Sequence, residues 1–203
     1  REYSDYFTDK KKIVIIGLGG SSLGTKALAE SLFPSVWKDK VVFLDNVDVY
    51  TIDHFLKNIH NPSDYGWILC SKSGSTIEVT SLYDYCAHFL LDKTKVNIAD
   101  STLVITEKKS SALFDYATEA GCPILEVPLD IGGRFSVFTP VGLMPLSFLN
   151  IDYEKVKGGF SKILKDDQAV CHLVEALYSS HLRNEVNFYS FQYSDRLSFW
   201  ALW

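Results

Sequence analysis

Five short apolar runs, separated by segments with helical periodicity, constrain the fold more than any other feature of the sequence. The runs are Lys12–Ile16, Val41–Leu44 and residues 67–70, 101–105 and 123–127. Each run is apolar on both faces, which is typical of strands that are buried on both sides in a parallel sheet. The alternation of strands with helices therefore predicts an α/β fold with a parallel five-stranded sheet flanked by helices.

The segments between the strands carry the helical pattern. We predict one helix that begins near residue 23 and ends near Pro34. Further helices are predicted over residues 50–59, 77–91 and 108–120. Two further helices, at residues 152–165 and 168–183, follow one another without a strand between them. This change in pattern predicts a first domain at residues 1–150 and a helical connection at residues 151–203.

Composition excludes several classes of protein. The 203 residues are 47% hydrophobic and carry a net charge of −5, which disfavours a large nucleic-acid surface or an anionic membrane face. No apolar run reaches the roughly 18 residues of a membrane helix, and the first residues do not resemble a signal peptide. Four widely spaced cysteines predict reduced core residues in a cytoplasmic protein: Cys70, Cys86, Cys122 and Cys171.

A loop rich in hydroxyl groups follows the third strand and precedes a helix. Its sequence is Ser71-Lys72-Ser73-Gly74-Ser75-Thr76. A strand that turns through such a loop into a helix directs backbone N–H groups and the positive end of the helix dipole at one point. The loop therefore predicts a phosphate-binding site, although Ser and Thr are also common helix N-caps in an ordinary turn.

A glycine-rich loop at residues 17–24 follows the first strand and permits two familiar interpretations. A dinucleotide-binding fingerprint would need glycine where Ser22 stands, although Asp45 lies about where a ribose-binding acid belongs. A P-loop would need Lys-Thr, whereas the chain has Thr25-Lys26, which turns the lysine about 100° around the helix. A second loop that binds the same phosphorylated ligand explains this segment better, because the carboxyl ends of parallel strands share one sheet edge.

A third loop at that edge, residues 130–136, follows the fifth strand. Its paired glycines, Gly132 and Gly133, allow the backbone to approach a ligand, and Arg134 adds a permanent charge with a planar set of donors. A lone arginine on a turn is usually a surface residue. The position of Arg134 at the ligand edge favours a functional role.

These three loops together resemble the glucose-6-phosphate isomerase (phosphoglucose isomerase) family. The run from Gly132 to Leu143, GGRFSVFTPVGL, is the most specific part of the resemblance, and residues 193–197 resemble the stretch before the family's catalytic glutamate. The resemblance covers essentially the whole chain but only the first part of a family enzyme. It implies a first sugar-isomerase (SIS) domain at residues 1–150 and the start of a second at residues 151–203.

The resemblance also implies an activity and a set of roles. The expected activity is the interconversion of glucose 6-phosphate and fructose 6-phosphate through an enediolate, by a cytoplasmic homodimer that needs no metal or redox cofactor. Arg134 is expected to stabilise the enediolate. The expected substrate-binding residues are Gly20, Ser21, Ser71, Lys72, Ser73, Ser75, Thr76 and Gly133.

Two departures from the family pattern bear on these expectations. Many relatives have Glu-Thr after the phosphate loop, whereas this chain has Glu78-Val79-Thr80, so that one hydroxyl is lost or shifted. The family's general-base Glu, ring-opening His and C-terminal Lys are expected beyond Trp203, so this segment alone is expected to be inactive. The competing interpretation is a non-catalytic SIS domain that senses a sugar phosphate, and a dinucleotide-dependent oxidoreductase ranks third.

The chain does not supply these missing groups at the predicted sheet edge. All five histidines lie in or beside predicted helices, where solvent-facing or core roles are the better interpretation: His54, His60, His88, His172 and His181. Trp67, Trp200 and Trp203 are interpreted as core or interface aromatics.

Overall fold

The computed structural model of the chain describes residues 5–163, 165 and 167–183. Five parallel strands form one sheet: β1 (Lys12–Ile16), β2 (Val41–Leu44), β3 (Tyr65–Cys70), β4 (Thr102–Thr106) and β5 (Ile124–Glu126). Their order across the sheet is β2-β1-β3-β4-β5. The predicted parallel five-stranded sheet is therefore confirmed, with small shifts at the ends of the last three strands.

Some helices connect the strands, and others come after the last strand in the chain. They are α1 (Leu23–Leu32), α2 (Trp37–Lys40), α3 (Val49–Lys57), α4 (Ile77–Thr94), α5 (Ala112–Ala120), α6 (Pro140–Phe148), α7 (Tyr153–Ile163) and α8 (Asp167–Leu182). The sequence did not predict α2 or α6. Thr139 begins α6 by accepting a hydrogen bond from the N–H of Val141 at 3.3 Å, and Pro140 occupies the first helical position.

The helix predicted at residues 108–120 begins four residues later than expected. Ser111 caps α5, because its hydroxyl accepts a hydrogen bond from the N–H of Phe114 at 3.3 Å. Gly121 ends the helix in the left-handed conformation, with φ of 70°. Residues 107–111 are therefore free to line the carboxyl edge of the sheet.

The core lies on both faces of the sheet. On one face, side chains of β1, β3 and β4 pack with α3, α4 and α5, and Trp67 at this centre is fully buried. On the other face, Ile13, Ile15 and Ile68 are also at most 1% exposed. This double burial explains why the strands are apolar at consecutive positions.

Three of the four cysteines occupy the core. Cys70, Cys86 and Cys122 are buried free thiols, as predicted, whereas Cys171 on α8 is exposed and the prediction for it was wrong. Cys171 occupies an exposed position on its helix, and such a position does not require an apolar side chain. Trp200 and Trp203 lie outside the described residues.

The chain divides into two compact units between Leu149 and Asn150. The first contains the sheet with α1 to α6, and the second contains α7 and α8. The two predicted helices of the second unit are confirmed, with bounds within two residues of those expected. Among the described helices, none combines the length and the apolar character needed to cross a membrane.

Candidate functional site

A cleft with a volume of about 520 Å³ opens at the carboxyl ends of β1 and β3. These strands are neighbours, but the chain leaves β1 toward β2 on one side and later enters β3 on the other. Connections that diverge in this way leave a crevice, which is where open α/β sheets bind ligands. Eight of the predicted site residues line the cleft: Gly20, Ser21, Ser71, Lys72, Ser73, Thr76, Gly133 and Arg134.

The first and third loops meet at a contact between two glycines. A Cβ atom added to Gly20 would lie 2.5 Å from the carbonyl oxygen of Gly133 and 3.1 Å from the backbone nitrogen of Arg134. Real Cβ atoms do not approach backbone so closely, so only glycine fits at position 20 without moving the chain. The contact brings Arg134 to the end of β1, although the two loops are over a hundred residues apart in sequence.

The hydroxyl-rich loop wraps one side of the cleft. Ser71 is buried, and its hydroxyl lies 2.8 Å from that of Thr76, which stands at the N-terminus of α4. Gly74 has a φ of 66°, which places the loop in a turn that L-residues rarely adopt. The N–H of Ser71 donates to the carbonyl of Ile105, and the N–H of Leu113 donates to that of Gly74.

The amide groups of this loop point to an anion site. Within the described residues, no hydrogen bond occupies the N–H of Ser73 or that of Thr76. The Thr76 side chain does not cap α4 either, so the free N–H groups of the first helical turn remain available. Free donors at a helix N-terminus bind anions well, and the phosphate site expected at this loop stays a prediction that this geometry permits.

Ser75 is the predicted site residue that does not line the cleft, and Val79 is the position at which the chain departs from the family pattern. Ser75 is exposed and is not among the residues that line the cleft, and its hydroxyl donates to that of Ser73 at 3.1 Å. Val79 is buried in the core beneath the cleft, while the Thr80 hydroxyl donates to the carbonyl of Ile77 at 3.0 Å. The hydroxyl that follows Val79 is therefore bound to its own helix rather than turned toward the cleft.

Charged side chains from two loops converge in the cleft. The Lys72 ammonium lies 3.3 Å from one carboxylate oxygen of Glu107 and donates to the carbonyl of Leu129 at 3.1 Å. Lys109 pairs with the other carboxylate oxygen. The contact with the Lys109 ammonium, followed by that with the Lys72 ammonium, holds the pKa of Glu107 below its usual range.

Glu107 and Lys109 are the site residues that the sequence interpretation missed. Both follow β4 directly, at the same sheet edge as the three predicted loops. The predicted helix over residues 108–120 concealed Lys109, because it assigned that residue to a helix face, and Glu107 was left between the predicted strand and that helix without a role. The rule that ligands bind at the carboxyl ends of parallel strands would have found them.

Arg134 lies in a tight 3-10 turn, Gly133–Phe138, at the mouth of the cleft. The Ser136 hydroxyl donates to the carbonyl of Gly133 at 2.6 Å, and the N–H of Phe135 donates to that of Gly132 at 2.8 Å. The Arg134 side chain is exposed. A fixed backbone with an exposed guanidinium suits an arginine that contacts a ligand.

Other polar groups fit structural roles. Asp45, the acid that a dinucleotide site would require, pairs with Lys26 at 2.5 Å. Cys70 lies under the cleft, and burial raises its pKa to about 12, so that it remains a thiol.

His54, His60, His88 and His172 are exposed and do not line the cleft, and the His181 side chain lies outside the described part of the structure. In the described part of the chain, no group of three or more His, Cys, Asp or Glu residues could hold a metal ion.

The fold and the cleft define a doubly wound α/β protein with a polar cleft at its topological switch point. Residues 4–182 match the family model described as Phosphoglucose isomerase, and the chain belongs to this family. It is 33% identical over 184 residues to the glucose-6-phosphate isomerase of Mycoplasma mycoides, covering 85% of this chain and 42% of that protein. It is 37% identical over 161 residues to that of Mesomycoplasma hyopneumoniae, covering 75% of this chain and 37% of that protein.

Solved structures agree with this assignment. A hypothetical protein from Thermus thermophilus is similar with a TM-score of 0.82 and 30% identity, over 98% of this chain and 49% of that one. A glucose-6-phosphate isomerase from Chlamydia trachomatis gives a TM-score of 0.63 and 27% identity, over 72% of this chain and 28% of that one. The chain thus spans less than half the length of these relatives.

Proposed function

We propose that this chain forms the sugar-phosphate-binding part of a glucose-6-phosphate isomerase, which interconverts glucose 6-phosphate and fructose 6-phosphate in the cytoplasm. Residues 1–150 would be its first SIS domain, and residues 151–203 would lead into a second, in a homodimer. The observation that carries the proposal is the convergence of the three family-like loops on one cleft. The relatives named above support the same activity.

In this proposal the hydroxyl-rich loop binds the phosphate. Ser71, Ser73 and Thr76 supply hydroxyl donors, and the free N–H groups at the start of α4 supply charge-assisted bonds. Lys72 adds a positive charge. Gly20, Ser21 and Gly133 form the wall along which the sugar would lie, with Ser75 supporting Ser73 from outside the cleft.

Arg134 then faces the reacting carbons. Isomerisation moves a proton between C2 and C1 and passes through an enediolate, whose negative charge the ground-state sugar lacks. A fixed guanidinium at that position stabilises the transition state more than the substrate. The reaction is an internal proton transfer with no net oxidation, so we assign it no redox cofactor, and Arg134 takes the charge-stabilising role that a metal ion could otherwise fill.

The proton transfer also needs a general base. Among the described residues that line the cleft, Glu107 is the carboxylate, and its two lysine partners hold its pKa low. A carboxylate stabilised as an ion pair is a poor proton acceptor. We therefore assign the base to a residue outside the described cleft, and we expect the segment alone to bind a sugar phosphate without turning it over.

The test is an isomerase assay on the full-length protein, combined with calorimetric titration of fructose 6-phosphate. We expect turnover in the wild type and a large loss of affinity in the double variant Ser73→Ala, Thr76→Ala. Each lost charge-assisted bond is worth about 1.5–3 kcal/mol, and the two losses will not be additive. Thr80→Ala is the matched control, because its hydroxyl bonds to the carbonyl of Ile77 within α4.

Two outcomes would contradict parts of this proposal. Equal affinity in the wild type and the double variant would mean that the phosphate binds elsewhere. Tight binding of fructose 6-phosphate by the full-length protein without turnover would favour the non-catalytic, sugar-phosphate-sensing alternative.

A further inference from the structure

Lys72, Glu107 and Lys109 form a charged cluster on the wall of the cleft. Glu107 lies between the two lysines, with one carboxylate oxygen 3.3 Å from the Lys72 ammonium and the other paired with Lys109. Lys72 belongs to the hydroxyl-rich loop, whereas Glu107 and Lys109 belong to the segment that follows β4. The cluster therefore joins two loops at the proposed phosphate site.

The backbone of Glu107 is fixed to both lysines. Its N–H donates to the carbonyl of Lys72 at 3.0 Å, and its carbonyl accepts from the N–H of Lys109 at 2.9 Å. The side chain of Glu107 is only 6% exposed. A charge buried to this degree needs its partners, since removing one partner of a buried ion pair is strongly destabilising.

This burial restricts where the lysines can point. The Lys72 side chain is 25% exposed, that of Lys109 is 53% exposed, and both residues line the cleft, so Glu107 does not enclose either of them fully. A free lysine side chain loses rotamer entropy when it is immobilised. Because Glu107 already holds both side chains, an anion that enters the cleft meets ammonium groups that have lost much of this freedom.

We propose that Lys109 is a phosphate-binding residue and that Glu107 is the positioning residue that holds Lys109 and Lys72 for it. This inference rests on the proposed function and adds a second lysine to the phosphate site. With Arg134, the cleft contains three cations and one carboxylate, which leaves two net positive charges. Lys72, Lys109 and Glu107 alone leave one net positive charge beside the hydroxyl-rich loop, and the positive cleft as a whole attracts a phosphate monoester, which carries about −1.5 to −2 at neutral pH.

Glu107 could also act in the opposite direction, by repelling the phosphate. The two roles predict opposite signs for Glu107→Gln, which keeps the shape and removes the charge. Loss of a positioning residue weakens phosphate binding, because the lysines become free to move into solvent. Loss of a repelling charge strengthens binding, because the net charge of the cleft becomes more positive.

The experiment is calorimetric titration of the full-length protein with fructose 6-phosphate and, separately, with inorganic phosphate. We expect Lys109→Gln to weaken binding of both ligands by about tenfold or more, which corresponds to one lost charge-assisted bond. Lys108→Gln is the matched control, because it removes the same charge from an exposed neighbour that does not line the cleft. We expect it to change the affinity less than about twofold.

The positioning role is tested by a double-mutant cycle. Glu107→Gln should weaken binding, and adding Lys109→Gln should then cost much less than it does in the wild type, because the lysine has already lost its anchor. Glu107→Asp keeps the charge with a shorter reach and should bind with an affinity between those of the wild type and Lys109→Gln. If Glu107→Gln does not fold, the affinity of Glu107→Asp tests the positioning role of Glu107 instead.

Each result has a definite consequence. Equal affinities for Lys109→Gln and Lys108→Gln would overturn the role of Lys109, while the phosphate site itself would stand. Tighter binding by Glu107→Gln, binding by Glu107→Asp at or above the wild-type level, or fully additive effects would overturn the positioning role. Failure of the wild type to bind either ligand would overturn the proposed function and this inference together.

Discussion

Replacing Gly20 by alanine should lower turnover strongly while leaving the phosphate site intact. The new Cβ atom would lie 2.5 Å from the carbonyl oxygen of Gly133. An ordinary contact of this kind begins near 3.4 Å, so the two loops must separate by about 0.9 Å. The turn that carries Arg134 begins at Gly133, and the same Cβ atom would also press on the backbone nitrogen of Arg134.

The size of the effect follows from this displacement. A misplacement of about 1 Å in a catalytic group can cost about 10²-fold in rate, which is roughly 2.7 kcal/mol of transition-state stabilisation. Phosphate binding should change little, because the hydroxyl-rich loop is attached elsewhere. The N–H of Ser71 bonds to Ile105, and the carbonyl of Gly74 bonds to the N–H of Leu113.

The assay measures kcat and KM for isomerisation by the full-length Gly20→Ala protein, with phosphate affinity from calorimetry and folding from thermal denaturation. Gly132→Ala is the control, because a Cβ atom there meets only the Phe135 ring at 3.4 Å or more. A folded Gly20→Ala protein with wild-type kcat would refute the reasoning. So would a loss of phosphate affinity as large as the loss of turnover, because the strain would then not be confined to the Arg134 turn.

Two further predictions concern single side chains. Arg134→Ala should lower kcat by about 10²–10³ with a smaller change in KM, and Arg134→Lys should recover only part of that loss, because lysine lacks the planar set of donors. Steady-state kinetics would contradict the enediolate role if KM rose while kcat stayed unchanged. Cys70 and Cys86 should resist alkylation at pH 8 in the folded protein, because burial raises the pKa of each thiol to about 12 and leaves only about one molecule in 10⁴ as thiolate. The prediction would be wrong if peptide mass spectrometry showed that either cysteine is alkylated as fast in the folded protein as in the unfolded protein.

The strands were predictable because burial on both faces leaves a direct mark in the sequence. A run such as Lys12–Ile16 has no solvent-facing side, so apolar residues stand at consecutive positions. The predicted bounds of this run agree with the structure. The start of α5 was harder to predict, because the polar residues 108–111 carry no apolar periodicity that marks the boundary, and Ser111 takes the capping position. Helix α6 escaped prediction because it is largely buried and lacks a polar face, so its periodicity is weak.

The hydroxyl-rich loop between β3 and α4 was predictable in outline from local chemistry, but the detailed position of each hydroxyl was not. Ser73 lines the cleft whereas Ser75, two residues later, does not. The difference depends on the positive φ at Gly74, which redirects the chain between them. Glu107 is harder still to interpret from sequence, because a single acid at the end of a strand acquires its role only from two lysines on different loops.

The cleft could not be predicted from each strand and its loop separately, because residues 127–132 cross the sheet and bring distant loops together. β5 ends the strand order, three places from β1. With neighbouring strands about 4.8 Å apart, the third loop must travel about 14 Å across the sheet to reach Gly20. Six residues span at most about 20 Å, so the segment has to cross the ends of β4 and β3 with little excess length.

The contact between Lys72 and the carbonyl of Leu129 lies on this path. Lys72 therefore holds the crossing segment with the same ammonium group that pairs with Glu107. One side chain thereby links the hydroxyl-rich loop to the segment that leads to Arg134. The distance between the hydroxyl-rich loop and the Arg134 guanidinium depends on these tertiary contacts, and none of the three loops specifies that distance in its own sequence.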